Sequence, residues 1–351
     1  MSNRAVCELQ NHWWTRGNAQ PLVGIFAPVD VPFSGMDLDV PPSAIAERKR
    51  RNAAVLAVVP SDKLSVACVN FGPAFVPALA GAGFTHDAHT SWSVPVAERI
   101  QDVKVRPFDP SHELFQAYAA RLEPLLAAWS WDTYLPGLAD YLGPMDILAG
   151  ILGPENLALA MIDDPDEVRS HAMNAAQFLR DMLAYELAMH QQAGMTAGCT
   201  DVFSTYLPGR GVRYSEDVST LVGEAHFREV FFEAHAAWIA GLDSVFLHIH
   251  SAALACLPAI LDIPGLGAVE LSNDPNGPRL SALIAAGQRV QAAGKPLQIS
   301  NWEHPLTEDE IKRLVTELDT KGLCITLQAE SIPHAHHLYD LAKNIKSGND
   351  S

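Results

Sequence analysis

A chain of 351 residues, 48% of them hydrophobic, is long enough to bury a full core, either as one large barrel or as two ordinary domains. Its formal charge is −17, with 41 acidic against 24 basic side chains, which argues against nucleic acid or an anionic membrane surface as partner and for a small-molecule ligand. Five scattered cysteines (Cys7, Cys68, Cys199, Cys256, Cys324), none in a CxxC, argue against a disulfide framework. No apolar run approaches the roughly 20 residues of a membrane span, and the first ten residues lack a signal-peptide layout. A soluble, cytoplasmic protein is expected.

Residues 1–20, with Trp13 and Trp14, read as a short helical extension on the main body. Pro21–Pro28 is a first strand, followed by a loop of turn formers through Asp37. Ala44–Val58 carries Glu47, Arg48, Lys49, Arg50 and Arg51 and reads as a helix whose charges face water. Lys63–Asn70 is a second strand. Residues 84–110 form an irregular excursion, and His112–Ala128 a helix. Trp131–Leu138 is a third strand, and Gly143–Gly153 and Asp163–His190 are helical, with Pro144 suited to a first turn. Met195–Phe203 is a fourth strand, and Ser204–Tyr214 a loop. A helix over Ala225–Ala240 feeds the fifth strand, Ser244–Ser251. Gly267–Ser272, Pro296–Asn301 and Gly322–Ala329 complete the strands, separated by helices near 279–293 and 307–320.

Eight strands alternating with helices predict an α/β fold with a parallel sheet, specifically a (β/α)8 TIM barrel over residues 21–345 as a single domain, with 346–351 a disordered tail. The competing doubly wound sheet would carry a glycine-rich phosphate loop after the first strand, where this chain has Pro28-Val-Asp-Val-Pro32.

In a barrel the active site gathers at the C-terminal strand ends. Those ends carry Asp30, Asn70, Asp140, Thr205, Tyr206, His248, His250, Asn273, Asp274, Trp302, Glu303, His304, Gln328 and Glu330, an ionisable set that is costly unless it binds something. His248 and His250, two apart on one strand, project to the same face as a metal clamp would. With a third ligand they make a site with one open position, as in catalytic zinc. Counting along the last strand makes Glu330 the expected third ligand and Cys324 a core thiol, with His334, His336 and His337 in the next loop as the alternative. Arg210 and Arg213, on the loop after Pro208, would hold an anionic group of a ligand or pair with Glu216 or Asp217.

The segments Asn70-Phe-Gly-Pro73, Gly143–Asn156, Asp163-Asp-Pro-Asp-Glu-Val168, Pro208-Gly-Arg-Gly211, His248–Leu254, Ile263–Val269 and Ala293–Gln298, in this order and spacing, resemble the uroporphyrinogen decarboxylase-like superfamily. The resemblance runs from about Pro21 to Ala342 and implies a (β/α)8 barrel. True decarboxylases of that superfamily carry an arginine-rich segment after the first strand; here Ala27-Pro-Val-Asp-Val-Pro-Phe33 stands instead. Its corrinoid-dependent methyltransferases bind zinc through His-x-Cys and a later cysteine, to activate a thiol acceptor. His248 matches the histidine, His250 stands at the first cysteine, and Glu330 and Ser331 lie near the second.

The resemblance implies a methyltransferase-like enzyme acting on a small methylated compound. Its zinc or similar divalent metal would be held by His248, His250 and Glu330, with a corrinoid supplied by a partner protein. Tyr206, Arg210 and Asn273 would serve catalysis, and Asp30, Asn70, Arg213 and Trp302 would bind substrate. A homodimer is one assembly open to it, and the sequence does not decide the oligomeric state. The alternatives are a metal-free decarboxylase-like lyase and a non-catalytic binding barrel.

Overall fold

A computed structural model describes residues 1–28, 35–301 and 305–345. Its strands are β1 (Leu22–Phe26), β2 (Val66–Ala67), β3 (Gly83–His86), β4 (Ser91–Val94), β5 (Leu135–Pro136), β6 (Tyr141–Leu142), β7 (Gly198–Thr200), β8 (Tyr206–Pro208), β9 (Gly211–Ser215), β10 (Ser244–His250), β11 (Ala268–Ser272), β12 (Leu297–Ser300) and β13 (Leu323–Gln328). Seven strands form one parallel sheet in the order β1-β13-β12-β11-β10-β9-β6, and β2 pairs with β5 in a short parallel ladder. The order is compatible with a barrel wall. Among the described residues no ladder joins β1 to β2, so the wall is not closed by hydrogen bonds there.

Register explains what each face does. Ser215, His248, Glu270, Gln298, Cys324 and Leu22 are successive partners across β9, β10, β11, β12, β13 and β1, so they share one face of the sheet. Residues two positions away, Arg213, His250, Ser272, Ser300 and Thr326, extend that polar face. The opposite face is Val212, Tyr214, Val245, Leu247, Ile249, Val269, Leu271, Leu297, Ile299, Leu323, Ile325 and Leu327, all buried in the main core. Helices cover this apolar face, and the inner face is hydrogen-bonded and charged.

One correction concerns the fourth wall strand. Met195–Phe203 supplies β7, but β7 turns back on β8 as an antiparallel hairpin. Its place beside β10 is taken by β9, within the stretch assigned to a loop. Arg213 at its centre hid the strand, because an arginine in an apolar alternation reads as solvent-facing. It is in fact buried, its charge met by Glu270 on β11. Of the third strand, Trp131–Leu138, only β5 forms, the wall strand β6 lies beyond it, and the excursion at 84–110 begins as the β3–β4 hairpin.

The N-terminal helix Asn3–Trp14 is docked by specific bonds. Gln10 Nε2 donates to the carbonyl of Asp62 (2.9 Å), Trp14 Nε1 to that of Tyr206 (2.7 Å), and Trp13 packs edge-on against Phe246. In the helix Pro42–Leu56, Arg50 and Arg51 face water as expected, but Lys49 turns inward to the buried Asp37 carboxylate at 2.6 Å and Arg48 approaches it at 3.6 Å. No single helix among the described residues is long and apolar enough to cross a membrane.

Candidate metal and substrate site

A cavity of about 310 Å³ opens at the C-terminal ends of β9, β10 and β11, lined by Asp140, Phe203, Arg213, Asp217, His248, His250, Asn273 and Asp274 among others. Alternation along β10 sends His248 and His250 to the same face, and their ring centroids lie 5.1 Å apart at 84°. Asp217 begins the turn that follows β9. One donor atom from each of Asp217, His248 and His250 lies within 4.8 Å of the others.

Each imidazole is backed by a carboxylate. His250 Nδ1 lies 2.9 Å from Asp274 Oδ1, and His248 Nδ1 stands 3.4 Å from Glu270 Oε2. This leaves Nε2 as the ligand nitrogen of each ring, and for His250 that atom is 3.4 Å from Asp217 Oδ1. Carboxylate-backed histidines are the usual outer shell of a metal site, fixing tautomer and ring direction. Asp274 is itself held by Ser251 N–H and Oγ (both 2.8 Å) and Ser272 Oγ (2.7 Å). Asp217 is held through its backbone: its N–H and that of Val218 donate to Asp146 at 2.9 Å. Beneath them Glu216, fully buried, takes Met145 N–H at the start of the helix Pro144–Leu152, and lies so close to Gly143 that no side chain would fit there.

The electrostatics follow from this packing. Hydrogen bonds to Asp217 and then Asp274 raise His250 to about 10, so without a metal it is an imidazolium between two carboxylates. Burial opposes ionisation of Asp274, yet hydrogen bonds from His250, Ser272 and Ser251 take it well below the usual carboxylate range. Burial likewise opposes Glu270, but Arg213 and His248 hold it ionised. Asp140 has no such bond; burial pushes it up to about 6, against the attraction of Arg213. Burial and the neighbouring Glu216 and Asp217 charges raise Asp146.

Two of these contacts are long: His248 Nδ1 stands 3.4 Å from Glu270 Oε2, and Asp217 Oδ1 stands 3.4 Å from His250 Nε2. One carboxylate and two imidazoles, with room on the cavity side, are a borderline-hard donor set suited to zinc or a similar divalent ion with an open position.

The sequence-predicted residues fall into three groups. The structure brings together His248, His250, Arg213 and Asn273; Asn273 is buried and donates from Nδ2 to Asn301 Oδ1 (2.9 Å). Arg213 serves a different end from that expected. It gives Nε and Nη2 to Glu270 Oε2 (2.9 and 2.7 Å), and its guanidinium lies 3.9 Å from the Phe203 ring centroid, so its charge is already matched.

Four of the expected residues stand away from this cavity. Glu330 is exposed beyond β13, its N–H bonded to His334 Nδ1, and Asp217 takes its place beside the histidines. Arg210 sits before β9, at the opposite ends of the strands from the histidines, its N–H on Asp243. Tyr206 belongs to a small apolar cluster with Val6, Cys7 and Leu64, its hydroxyl on the Ala197 carbonyl. Asn70 organises a loop through Asp37, Gly35 and Gly72 and does not line the cavity.

Asp30 and Trp302 lie outside the described residues, as do Glu303, His304 and the tail from 346. Cys324 is a buried thiol that burial raises to about 11, and His334, His336 and His337 fall in the helix Ile332–Asn344, away from the cavity. Asp217 was missed because β9 was; once Gly211–Ser215 is placed in the wall, Asp217 falls just past its C-terminal end, where site residues belong.

Over 95% of its length the chain is similar to a methyltransferase from Methanosarcina mazei, covering 97% of that chain with a TM-score of 0.62 at 11% identity. At that identity the likeness is one of fold. No family model matches the sequence, and no curated protein matches it.

Proposed function

We propose that this protein is a metal-dependent, methyltransferase-like enzyme of the uroporphyrinogen decarboxylase-like superfamily, built on a (β/α)8 barrel and acting on a small methylated compound. The observation that carries this reading is the cluster of Asp217, His248 and His250 donor atoms within 4.8 Å of one another at the cavity wall. The whole-chain fold likeness to a protein named a methyltransferase supports it.

In this reading Asp217, His248 and His250 hold a zinc-like ion, which when bound supplies Lewis-acid activation of the group that receives the methyl. Asp274 and Glu270 orient the two rings and offset their charge. Asn273, fixed by Asn301, presents its remaining polar atoms to the substrate. Asp140, raised to about 6, holds or releases a proton near neutrality at the cavity wall. A corrinoid protein as methyl donor belongs to the same proposal. The metal-free lyase would need a free arginine for a substrate carboxylate, and Arg210 is at the far end while Arg213 is matched by Glu270.

Metal analysis of untagged protein tests the reading. About one equivalent of zinc or a similar ion is expected, lost in His248→Ala with the fold unchanged by circular dichroism. Protein that takes up no divalent ion at micromolar concentration contradicts it.

A further inference from the structure

A second and larger cleft, about 770 Å³, lies at the seam between β1 and β2, where the wall has no ladder. We propose that it is a binding site for an amphipathic monocarboxylate, whose anionic end meets Lys63 and whose hydrocarbon body runs out along the apolar wall. This proposal does not rest on the metal site.

Lys63 marks the inner end. Its Nζ donates to Thr205 Oγ1 (3.1 Å) and to Gln298 Oε1 (2.6 Å), both on buried residues. Both acceptors are neutral, and among the described residues no carboxylate forms an ion pair with this half-buried ammonium. The buried Asp201 carboxylate feels the Lys63 charge, but its ion-pair partner is Arg213 at 3.9 Å, so a ligand anion would give the ammonium a direct counter-charge. The chain makes room for the arrangement at Gly24, where a Cβ would come within 3.0 Å of Lys63 Cγ and 3.2 Å of Thr326 Cγ2, so the lysine stem crosses β1 only over a glycine.

The outer end is apolar. Met1, Phe26, Leu56 and Val58, all exposed large hydrophobic side chains, line the mouth. Exposed apolar residues gathered on one cleft, rather than scattered singly, mark a binding surface. Of the other charged groups there, Arg50 is paired with Glu47 and Asp132 is exposed at the rim.

Phe203 lines both this cleft and the histidine cavity. It is carried on the loop Asp201–Thr205, pinned by Asp201 Oδ1 accepting from Phe203 N–H and Thr205 N–H, and Ser204 there holds φ +67°, unusual for a non-glycine residue. Phe203 and the bonded loop that carries it thus stand between the two cavities.

The test uses the full-length protein with dodecanoate and, as the uncharged counterpart, dodecanol, both below their aggregation limits, followed by calorimetry and by the fluorescence of Trp131 in the cleft wall. Dodecanoate is expected to bind saturably at one per chain, at least about tenfold more tightly than dodecanol. Lys63→Met, which keeps the stem over Gly24, should remove that preference and leave dodecanol binding unchanged. Val58→Glu, at an exposed position that does not threaten folding, should weaken dodecanoate by placing like charge at the mouth. Equal binding of acid and alcohol, saturable binding that ignores both substitutions, or no saturable binding overturns the proposal.

Discussion

Glu186 and Asp217 are both carboxylates set among ring-bearing side chains in the same fold, and their surroundings are opposite in kind. Glu186, on the helix Pro165–Gln192, is fully buried and accepts from the Tyr118 and Tyr141 hydroxyls and from Ala139 N–H. Every donor has its acceptor. Around Asp217 the backbone and the carboxylate behind His250 are as carefully bonded, but the side chains meet at longer range, with His250 Nε2 3.4 Å from Asp217 Oδ1 and His248 Nδ1 3.4 Å from Glu270 Oε2. A closely bonded polar cluster ties the helix layer to the wall; a more loosely bonded one, held in place by its neighbours, turns its donor atoms toward a cavity.

The comparison can be broken at either end. Glu186→Leu leaves two tyrosine hydroxyls and an amide buried without an acceptor, and should cost about 3–5 kcal/mol in chemical denaturation while metal stoichiometry of the remaining folded protein stays the same. Asp274→Asn acts at the other end. It removes the carboxylate behind His250 and should lower metal affinity by about 10–100-fold in competition with a chelator.

The buried ionisable groups of the fold also answer to pH with opposite signs. Burial raises Glu186 from 4.5 to about 6, so the folded state binds its proton more tightly than the unfolded chain. Its contribution is complete below pH 4.5 and is lost as pH rises through 6, a change of about 2 kcal/mol. Burial depresses His190 to about 4 and His235 to about 3, so these act with the opposite sign, their contribution present above pH 6.5 and lost as pH falls toward those values. Glu186→Gln isolates the first effect. The stability of the wild type relative to this variant should fall by about 2 kcal/mol between pH 4.5 and 7; a difference that does not change with pH would mean that Glu186 is ionised throughout.

Much of this architecture was legible from residue patterns. The strands β10, β11, β12 and β13 are apolar at every second position, and the helices between them follow ordinary capping and periodicity; the pair His248 and His250 came directly from the two-residue period. What was hidden has one physical origin. The inner face of the wall is polar, so β9, with Arg213 in the middle, resembles a loop until its partner Glu270 on a strand some 57 residues away is known. Losing β9 displaced the end of the fourth strand, and with it Asp217, so the third ligand was sought on β13. Tyr206 and Arg210 were drawn into the expected site by the same error, since the hairpin of β7 and β8 carries them to other surroundings. Glu270 went unnoticed for a related reason: within Ala268-Val-Glu-Leu-Ser272 nothing local shows that its carboxylate meets an arginine and a histidine from neighbouring strands.

The most direct measurement compares metal stoichiometry in two single variants, Asp217→Ala and Glu330→Ala, each against the wild type by plasma emission analysis after equilibration with zinc. One equivalent in the wild type and in Glu330→Ala, with none retained by Asp217→Ala, is the predicted result. Full occupancy in Asp217→Ala with loss in Glu330→Ala would contradict the account.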